Sequence, residues 1–173
     1  MSPKTVLIIG VGDNITGKVL ACQEGLEVYT FDFDEHLSPD FVGDVTQVDR
    51  VLGDRHFDVI LCCQVLEHLP YSYFEDILQQ LKRHTHQVIL SLPYAAMKSE
   101  LEWKISRIGS LRIRLCIPLF YKRHQFEGEH YWEIGTRGYS LRRVLSSMRK
   151  FFTIRKHYLA PRNSYHRFFL LTE

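Results

Sequence analysis

Four residues that suit nucleotide chemistry follow predicted strands in the N-terminal part of the chain. Gly10 and Gly12 come directly after an apolar run, where the lack of a Cβ lets the backbone turn sharply and approach a ligand. Asp32 ends a second strand, about 20 residues beyond the glycines, and Asp44 follows a short third strand. Because ligands of open parallel sheets bind beyond the carboxyl ends of the strands, we expect these residues to share one site.

The two carboxylates have separate predicted roles in that site. Asp32 can accept hydrogen bonds from both hydroxyls of an adenosine ribose, and Asp44 can meet the exocyclic amine of the adenine. The alternative for each is a solvated loop carboxylate or a cap. A nicotinamide dinucleotide site would use the same glycines and Asp32, but its G-x-G-x-x-G pattern requires glycine where Ile15 stands.

His68 and His130 are the predicted catalytic residues, because histidine suits a general base near neutral pH. His68 lies just beyond the fourth predicted strand, on the ligand side of the sheet. His130 belongs to a dense polar and aromatic cluster in which Tyr131 and Glu133 are predicted to contact an acceptor. The alternatives are a packing or capping role for His68 and a structural anchor for the cluster.

Metal binding is not predicted from the spacing of the candidate ligands. His130 and Glu133 could form a pair of ligands, but the sequence has no HExxH motif and no third ligand at a diagnostic distance. The four cysteines form no CxxC pair and are expected to be reduced thiols; they are Cys22, Cys62, Cys63 and Cys116.

The strands and helices that must position these residues are visible as sequence patterns. Short apolar runs and segments with helical periodicity alternate through the first 97 residues. This alternation predicts an α/β fold with a Rossmann-like, doubly wound and mostly parallel sheet. Several runs are continuously apolar, as expected for strands buried on both faces. We predict strands near 5–9, 27–32, 41–43, 57–62 and 87–92.

The remaining sequence predicts two further helices and a terminal hairpin. A helix over 72–84 starts with a capping box of Ser72 and Glu75, and a second spans 140–150. Strands at 151–159 and 165–172 form a C-terminal antiparallel hairpin. The apolar stripe of the first helix consists of Phe74, Ile77, Leu78 and Leu81.

The chain of 173 residues has the length of a single domain, so we predict one domain over 1–173. We interpret 93–138 as a lid inserted over the cleft. Net charge is −8 over 1–97, +3 over 98–138 and +7 over 139–173. This asymmetry fits either attraction to an anionic partner or a solvated basic face. The first apolar run is too short for a signal-peptide core or a bilayer span, so we expect a cytoplasmic protein.

Three segments appear in sequence order: VLIIGVG at 6–12, VYTFD at 28–32 and FDVILCCQVLEHLP at 57–70, followed by VILSLPY at 88–94. The first three resemble the class I S-adenosylmethionine-dependent methyltransferases, and VILSLPY resembles the fifth strand of that family. The resemblance implies S-adenosylmethionine as cofactor, Gln64 beside it and an antiparallel last strand. GEHYWEIG at 128–135 and YHRFF at 165–169 resemble a group of small bacterial methyltransferase-domain proteins.

The function that the resemblance implies is methyl transfer to an unidentified small or medium-sized acceptor. A small molecule or a glycan- or lipid-linked compound is expected, and nucleic acid is disfavoured because no recognition motif is present. The alternative is a non-catalytic binding module that has lost cofactor affinity. This alternative is motivated by Ile8, where the family usually has an acidic residue, and by Asn14, where it commonly has glycine.

Overall fold

The computed structural model describes residues 2–105, 109–126, 128–161 and 163–173. Its strands fall into two sheets, of seven and two strands. In chain order they are β1 (Thr5–Ile9), β2 (Glu27–Asp32), β3 (Phe41–Val42), β4 (Val59–Cys63), β5 (Gln87–Pro93), β6 (Ala96–Ile105), β7 (Gly109–Pro118), β8 (Thr153–Leu159) and β9 (His166–Thr172). The fold class and the placement of the first five strands agree with the sequence-based prediction.

The larger sheet has the strand order β3-β2-β1-β4-β5-β9-β8. Its first five strands are parallel, β9 pairs antiparallel with β5, and β8 pairs antiparallel with β9. The order reverses between β1 and β4, where two loops diverge and leave room for a ligand. The predicted terminal hairpin is therefore present, and β8 forms one edge of the sheet with a bulge between Ile154 and Lys156.

Within the described residues, four α-helices connect the strands. They are α1 (Ile15–Ala21), α2 (Val48–Leu52), α3 (Phe74–His84) and α4 (Leu141–Met148). The two that the sequence predicts at 72–84 and 140–150 are confirmed as α3 and α4, each with slightly narrower bounds. No helix within the described ranges combines the length and the apolar character that crossing a bilayer requires.

Alternate residues of the central strands enter two separate cores, one on each face of the sheet. In β1, Leu7 and Ile9 belong to the larger core, whereas Val6 and Ile8 belong to a small cluster with Val59. This explains the continuously apolar runs, since side chains point to opposite faces along a strand. The apolar stripe of α3 is buried in the larger core, as predicted, and consists of Phe74, Ile77, Leu78 and Leu81.

The predicted capping box at the start of α3 is wrong. A 3-10 turn over Tyr71–Tyr73 precedes the helix, which begins at Phe74 without a side-chain cap. The Glu75 carboxylate instead accepts hydrogen bonds from the Ser147 hydroxyl and the Lys150 ammonium, both at 2.7 Å. Because these bonds tie α3 to the end of α4, Glu75 serves tertiary packing rather than the local cap.

The segment 93–138 contains regular structure that its mixed composition did not indicate. β6 and β7 pair antiparallel without interruption from Ala96 opposite Pro118 to Ile105 opposite Gly109. The segment then returns to the main sheet, where Ile134 bridges Tyr94 in parallel. It is thus an extended hairpin joined to the end of β5, and its interpretation as a lid stays a prediction.

Trp132 fixes the return of this segment to the larger core. Its side chain is fully buried and its indole N–H donates to the Leu69 carbonyl at 3.0 Å. The ring packs edge-on against Tyr71 and Phe74, with centroids 4.8 and 5.3 Å away. Trp132 is therefore a structural anchor, as the alternative interpretation of the cluster predicted. By fixing the backbone here, Trp132 also positions the neighbouring His130 and Glu133.

Candidate active site

A cavity of about 630 Å³ opens at the carboxyl ends of the parallel strands, at the point where the strand order reverses. Its walls come from the segments that follow β1, β2, β3 and β4, and its volume lies in the range of small-molecule sites. Six predicted site residues line it together: Gly10, Gly12, Asp32, Asp44, Gln64 and His68.

The glycine loop reaches this cavity through backbone conformations that favour glycine. Gly10 has φ 85° and Gly12 has φ 54°. A Cβ added at Gly10 would lie 2.4 Å from Cγ2 of Val65, whereas one at Gly12 would meet open space. The first glycine is thus needed for close packing between the loops after β1 and β4, and the second leaves room towards the cavity.

Asp32 holds two loops of the site together. Its buried carboxylate accepts a hydrogen bond from the backbone N–H of Val11 at 2.7 Å and one from that of Asp34 at 3.1 Å. A carboxylate has about four acceptor positions, so it can accept further bonds from a ligand. Asp32 therefore shapes the glycine loop and still contributes to the cavity wall.

Asp44 and Gln64 also hold local structure at the cavity wall. Oδ1 of Asp44 caps a 3-10 turn by accepting from the N–H and hydroxyl of Thr46, at 2.8 and 2.7 Å. The capping alternative is thus observed, although Asp44 still faces the cavity. Gln64 adopts φ 57°, and its side-chain amide donates to the Ser91 hydroxyl at 3.1 Å.

The two departures from the family pattern leave the cavity wall intact. Ile8 is buried in the small core on the other face of the sheet and does not line the cavity. Asn14 adopts a left-handed conformation, with φ 57°, at the start of α1. Asparagine tolerates this region better than most residues, so the turn forms without a third glycine.

His68 and His130 lie side by side at one end of the site. Their ring centroids are 4.9 Å apart and the rings meet edge to face. Nδ1 of His68 lies 2.9 Å from the Glu129 carbonyl oxygen. Because a carbonyl only accepts, Nδ1 is the donor in this contact, which in the neutral imidazole leaves the lone pair on Nε2. The structure therefore brings both predicted catalytic residues together.

Glu133 and Tyr165 complete a hydrogen-bonded group around His130. Nδ1 of His130 lies 3.0 Å from Oε1 of Glu133, and the Tyr165 hydroxyl donates to the same oxygen at 2.5 Å. Burial and the neighbouring Glu133 raise the pKa of Tyr165, so its hydroxyl stays protonated as a donor.

A second cavity of about 310 Å³ lies beyond this group. Glu133, Tyr165 and His124 contribute to its wall, so the chain of contacts from His68 through His130 links the two cavities. Tyr131 lines neither of them. The residue is 41% exposed, and its ring packs against Phe126, with centroids 4.3 Å apart.

Glu67 is the residue of this region that sequence reasoning missed. Its side chain is fully buried, and neither carboxylate oxygen has a hydrogen-bond partner in the part of the chain that the structure describes. Burial raises its pKa to about 8, and the nearby Glu133 adds to the rise. The residue's own backbone N–H lies close enough to offset part of the rise, although it does not reach hydrogen-bond geometry. Ligand-type atoms of Glu67, His68 and His130 all lie within 4.8 Å of one another.

Neither a family model nor a curated protein sequence matches the chain. Solved methyltransferase structures resemble it over nearly its whole length. The methyltransferase domain of bacterial CtHen1 has 16% identity and a TM-score of 0.61, with 99% of this chain and 91% of that chain covered. The glycopeptide N-methyltransferase MtfA, complexed with S-adenosylhomocysteine, has 13% identity and a TM-score of 0.60, with 99% and 83% covered.

A third similar structure is the 1,6-didemethyltoxoflavin-N1-methyltransferase of Burkholderia thailandensis, with bound 1,6-didemethyltoxoflavin and S-adenosylhomocysteine. It has 14% identity and a TM-score of 0.62, with 99% of this chain and 71% of that chain covered. At these identities the likeness concerns the fold. The chain has the Rossmann-like fold of the class I methyltransferases.

Proposed function

We propose that the chain is an S-adenosylmethionine-dependent methyltransferase. The observation that carries this proposal is the cavity of about 630 Å³, because it collects the five residues predicted to bind the cofactor and His68 as well. The bound S-adenosylhomocysteine of two similar structures supports the same cofactor. The intact glycine loop argues against the alternative of a binding module without cofactor affinity.

In this proposal the chain's own residues hold the nucleoside part of the cofactor. Asp32 accepts hydrogen bonds from the ribose hydroxyls with the acceptor positions that Val11 and Asp34 leave free. Asp44, which also lines the cavity, is proposed to meet the adenine, and Gln64 lies next to the strand end that leads to His68. The open side of Gly12 lets the loop backbone approach the ligand closely.

Methyl transfer places modest demands on the remaining residues. The bond between the sulfonium sulfur and the methyl carbon breaks, its electron pair stays on sulfur, and the acceptor bonds to the carbon in line with the leaving sulfur. The protein must align the acceptor and, for a hydroxyl, receive its proton. His68 or His130 receives that proton in this proposal, since the two rings lie where the two cavities approach each other.

The acceptor is proposed to be a small molecule or a glycan- or lipid-linked compound that enters from the side of the second cavity. Glu133 faces that cavity and is proposed to position the acceptor. Tyr131, the other predicted acceptor residue, lies at the surface and would contact only a ligand that extends out of the cavity.

Isothermal titration with S-adenosylmethionine and S-adenosylhomocysteine tests cofactor binding. We expect the wild type to bind and Asp32→Ala to bind at least tenfold more weakly, a loss of about 1.4 kcal/mol. The matched control is Asp54→Ala, because Asp54 is exposed in the loop before β4, at the amino ends of the parallel strands and away from the cavity. A folded wild type that gives no binding heat with either compound would leave the non-catalytic module as the better account.

The proton acceptor is tested once labelled cofactor has identified an acceptor in cell extracts. We expect His68→Ala or His130→Ala to lower the maximal rate by roughly 10²–10⁴-fold while cofactor affinity stays nearly unchanged. If both variants keep normal rates and the same pH profile, alignment of an already nucleophilic acceptor is the better account of catalysis.

A further inference from the structure

Glu67, His68 and His130 form a cluster with the composition of a metal site at the junction of the two cavities. Glu67 and His68 belong to the 3-10 turn Leu66–His68 after β4, and His130 approaches from the returning segment anchored by Trp132. One ligand-type atom from each side chain lies within 4.8 Å of the other two. Two imidazoles and one carboxylate are therefore close enough together to be gathered around one ion.

The carboxylate of Glu67 supplies an independent indication that a ligand belongs there. Its side chain has no solvent exposure, and both oxygens are without a hydrogen-bond partner among the described residues. Buried polar groups in native proteins are nearly always paired, because an unpaired one loses its hydration without compensation. A cation bound between Glu67 and the two histidines would provide the missing partner.

The hydrogen bonds of the histidines have the pattern found around metal ligands. Nδ1 of His68 donates to the Glu129 carbonyl at 2.9 Å, and Nδ1 of His130 faces the Glu133 carboxylate at 3.0 Å. Histidine ligands usually donate their other ring N–H to a carbonyl or carboxylate, which fixes the ring and its tautomer. In both residues Nε2 is thereby left with the lone pair that a metal needs.

The cluster must contract around an ion. Oxygen and nitrogen ligands lie about 2.0–2.2 Å from zinc, so two ligands of a tetrahedral site are about 3.3–3.6 Å apart. The separations here reach no more than 4.8 Å. Movements of up to about 1 Å in each side chain therefore bring all three ligands to bonding distance.

We propose that Glu67, His68 and His130 bind a divalent transition-metal ion with at least one open coordination position. Two imidazoles and one carboxylate favour zinc and its first-row neighbours over magnesium or calcium, which prefer oxygen ligands. His68 also lines the cofactor cavity, so an ion held by this residue would lie beside the space in which an acceptor meets the methyl group. A bound ion there would hold and polarise an acceptor oxygen.

This proposal goes beyond methyl transfer and revises the sequence-based prediction that no metal binds. That prediction considered His130 only with Glu133, whereas Glu67 and His68 lie about 60 positions earlier and reach His130 through the fold. A bound ion takes the lone pairs that a general base needs. The histidines are therefore ligands in the metal-bound protein, and the acceptor is activated by the ion.

The test is equilibrium dialysis of the full chain, without cofactor, against Zn²⁺, Co²⁺, Mn²⁺ or Mg²⁺ alone. We expect one Zn²⁺ or Co²⁺ per chain at micromolar concentration, with visible absorption bands from protein-bound Co²⁺, and much weaker binding of Mg²⁺. Binding of none of the four ions at these concentrations would overturn the proposal.

Substitutions assign the ion to this cluster. Glu67→Gln keeps the size of the side chain and removes the ligand charge, so we expect affinity to fall at least tenfold while circular dichroism shows an intact fold. Glu133→Gln alters the partner of His130 and should lower affinity by about 10–100-fold. The control is His56→Gln, since His56 is exposed in the loop before β4, at the amino ends of the parallel strands, whereas the cluster lies beyond their carboxyl ends.

Two further outcomes would overturn the assignment: equal Co²⁺ affinity in Glu67→Gln and the wild type, or a loss of affinity confined to His56→Gln. Because the dialysis contains no S-adenosylmethionine, its result is independent of cofactor binding. A chain that binds cofactor and no metal would refute the metal site alone, and a chain that binds metal and no cofactor would refute the methyltransferase alone.

Discussion

Replacing Gly10 with alanine should destabilise the protein much more than the same change at Gly12. Both residues have positive φ, so both substitutions strain the backbone by roughly 1–2 kcal/mol. Gly10→Ala adds a Cβ 2.4 Å from Cγ2 of Val65, well inside the usual carbon–carbon separation of about 3.5–4.0 Å. Overpacking of this kind costs about 1–3 kcal/mol.

The difference between the two variants isolates the packing contribution. Each alanine restricts the unfolded chain to a similar extent, so that stabilising effect largely cancels between them. We therefore expect the free energy of unfolding of Gly10→Ala to lie about 1–3 kcal/mol below that of Gly12→Ala. Urea denaturation of both variants and the wild type measures this directly.

A double variant identifies the clashing group. Val65→Ala removes Cγ2, so Gly10→Ala should cost less in that background, with a coupling energy of about 0.5–3 kcal/mol. Equal stability of Gly10→Ala and Gly12→Ala, or no coupling to Val65, would refute the packing argument for the glycine loop.

Two further predictions concern the segment 93–138 and Glu75. If 93–138 acts as a lid, its amide hydrogen exchange should slow when S-adenosylmethionine or acceptor binds, and equal protection with and without ligand would exclude that role. Hydrogen bonds from Lys150 and Ser147 lower the pKa of Glu75 below its ordinary value of 4.5. The stabilisation of the fold by the ionised Glu75 is therefore fully present above pH 4.5 and is lost as pH falls through the lowered pKa. The urea midpoints of the wild type and Glu75→Gln should consequently converge in acid.

The residues on the cofactor side of the site could be predicted from sequence, because they directly follow parallel strands whose carboxyl ends lie together. Once β1 and β2 are recognised as parallel, Gly10 and Asp32 must meet at the carboxyl ends of the strands, and the family resemblance adds Gln64. No knowledge of side-chain contacts is needed for that step. The structure adds that Asp32 also fixes the glycine loop through Val11.

Glu67 could not be predicted in the same way, because its importance lies in what surrounds it. In sequence it is one acidic residue in a turn, and only the fold shows that it is buried near His130 with no hydrogen-bond partner for its carboxylate among the described residues. The capping box at Ser72 failed for a related reason, since Lys150 engages Glu75 from 75 positions away. Contacts over such separations have no local sequence signal.

The two edge strands of the seven-stranded sheet resist pairing with another chain. At one edge β3 is only two residues long and offers few free backbone groups. At the other, β8 carries Arg155 and Lys156 beside the bulge that interrupts its register. Short length, positive charge and bulges are the features by which native sheets avoid edge-to-edge aggregation. Neither edge is therefore a good template for intermolecular strand addition.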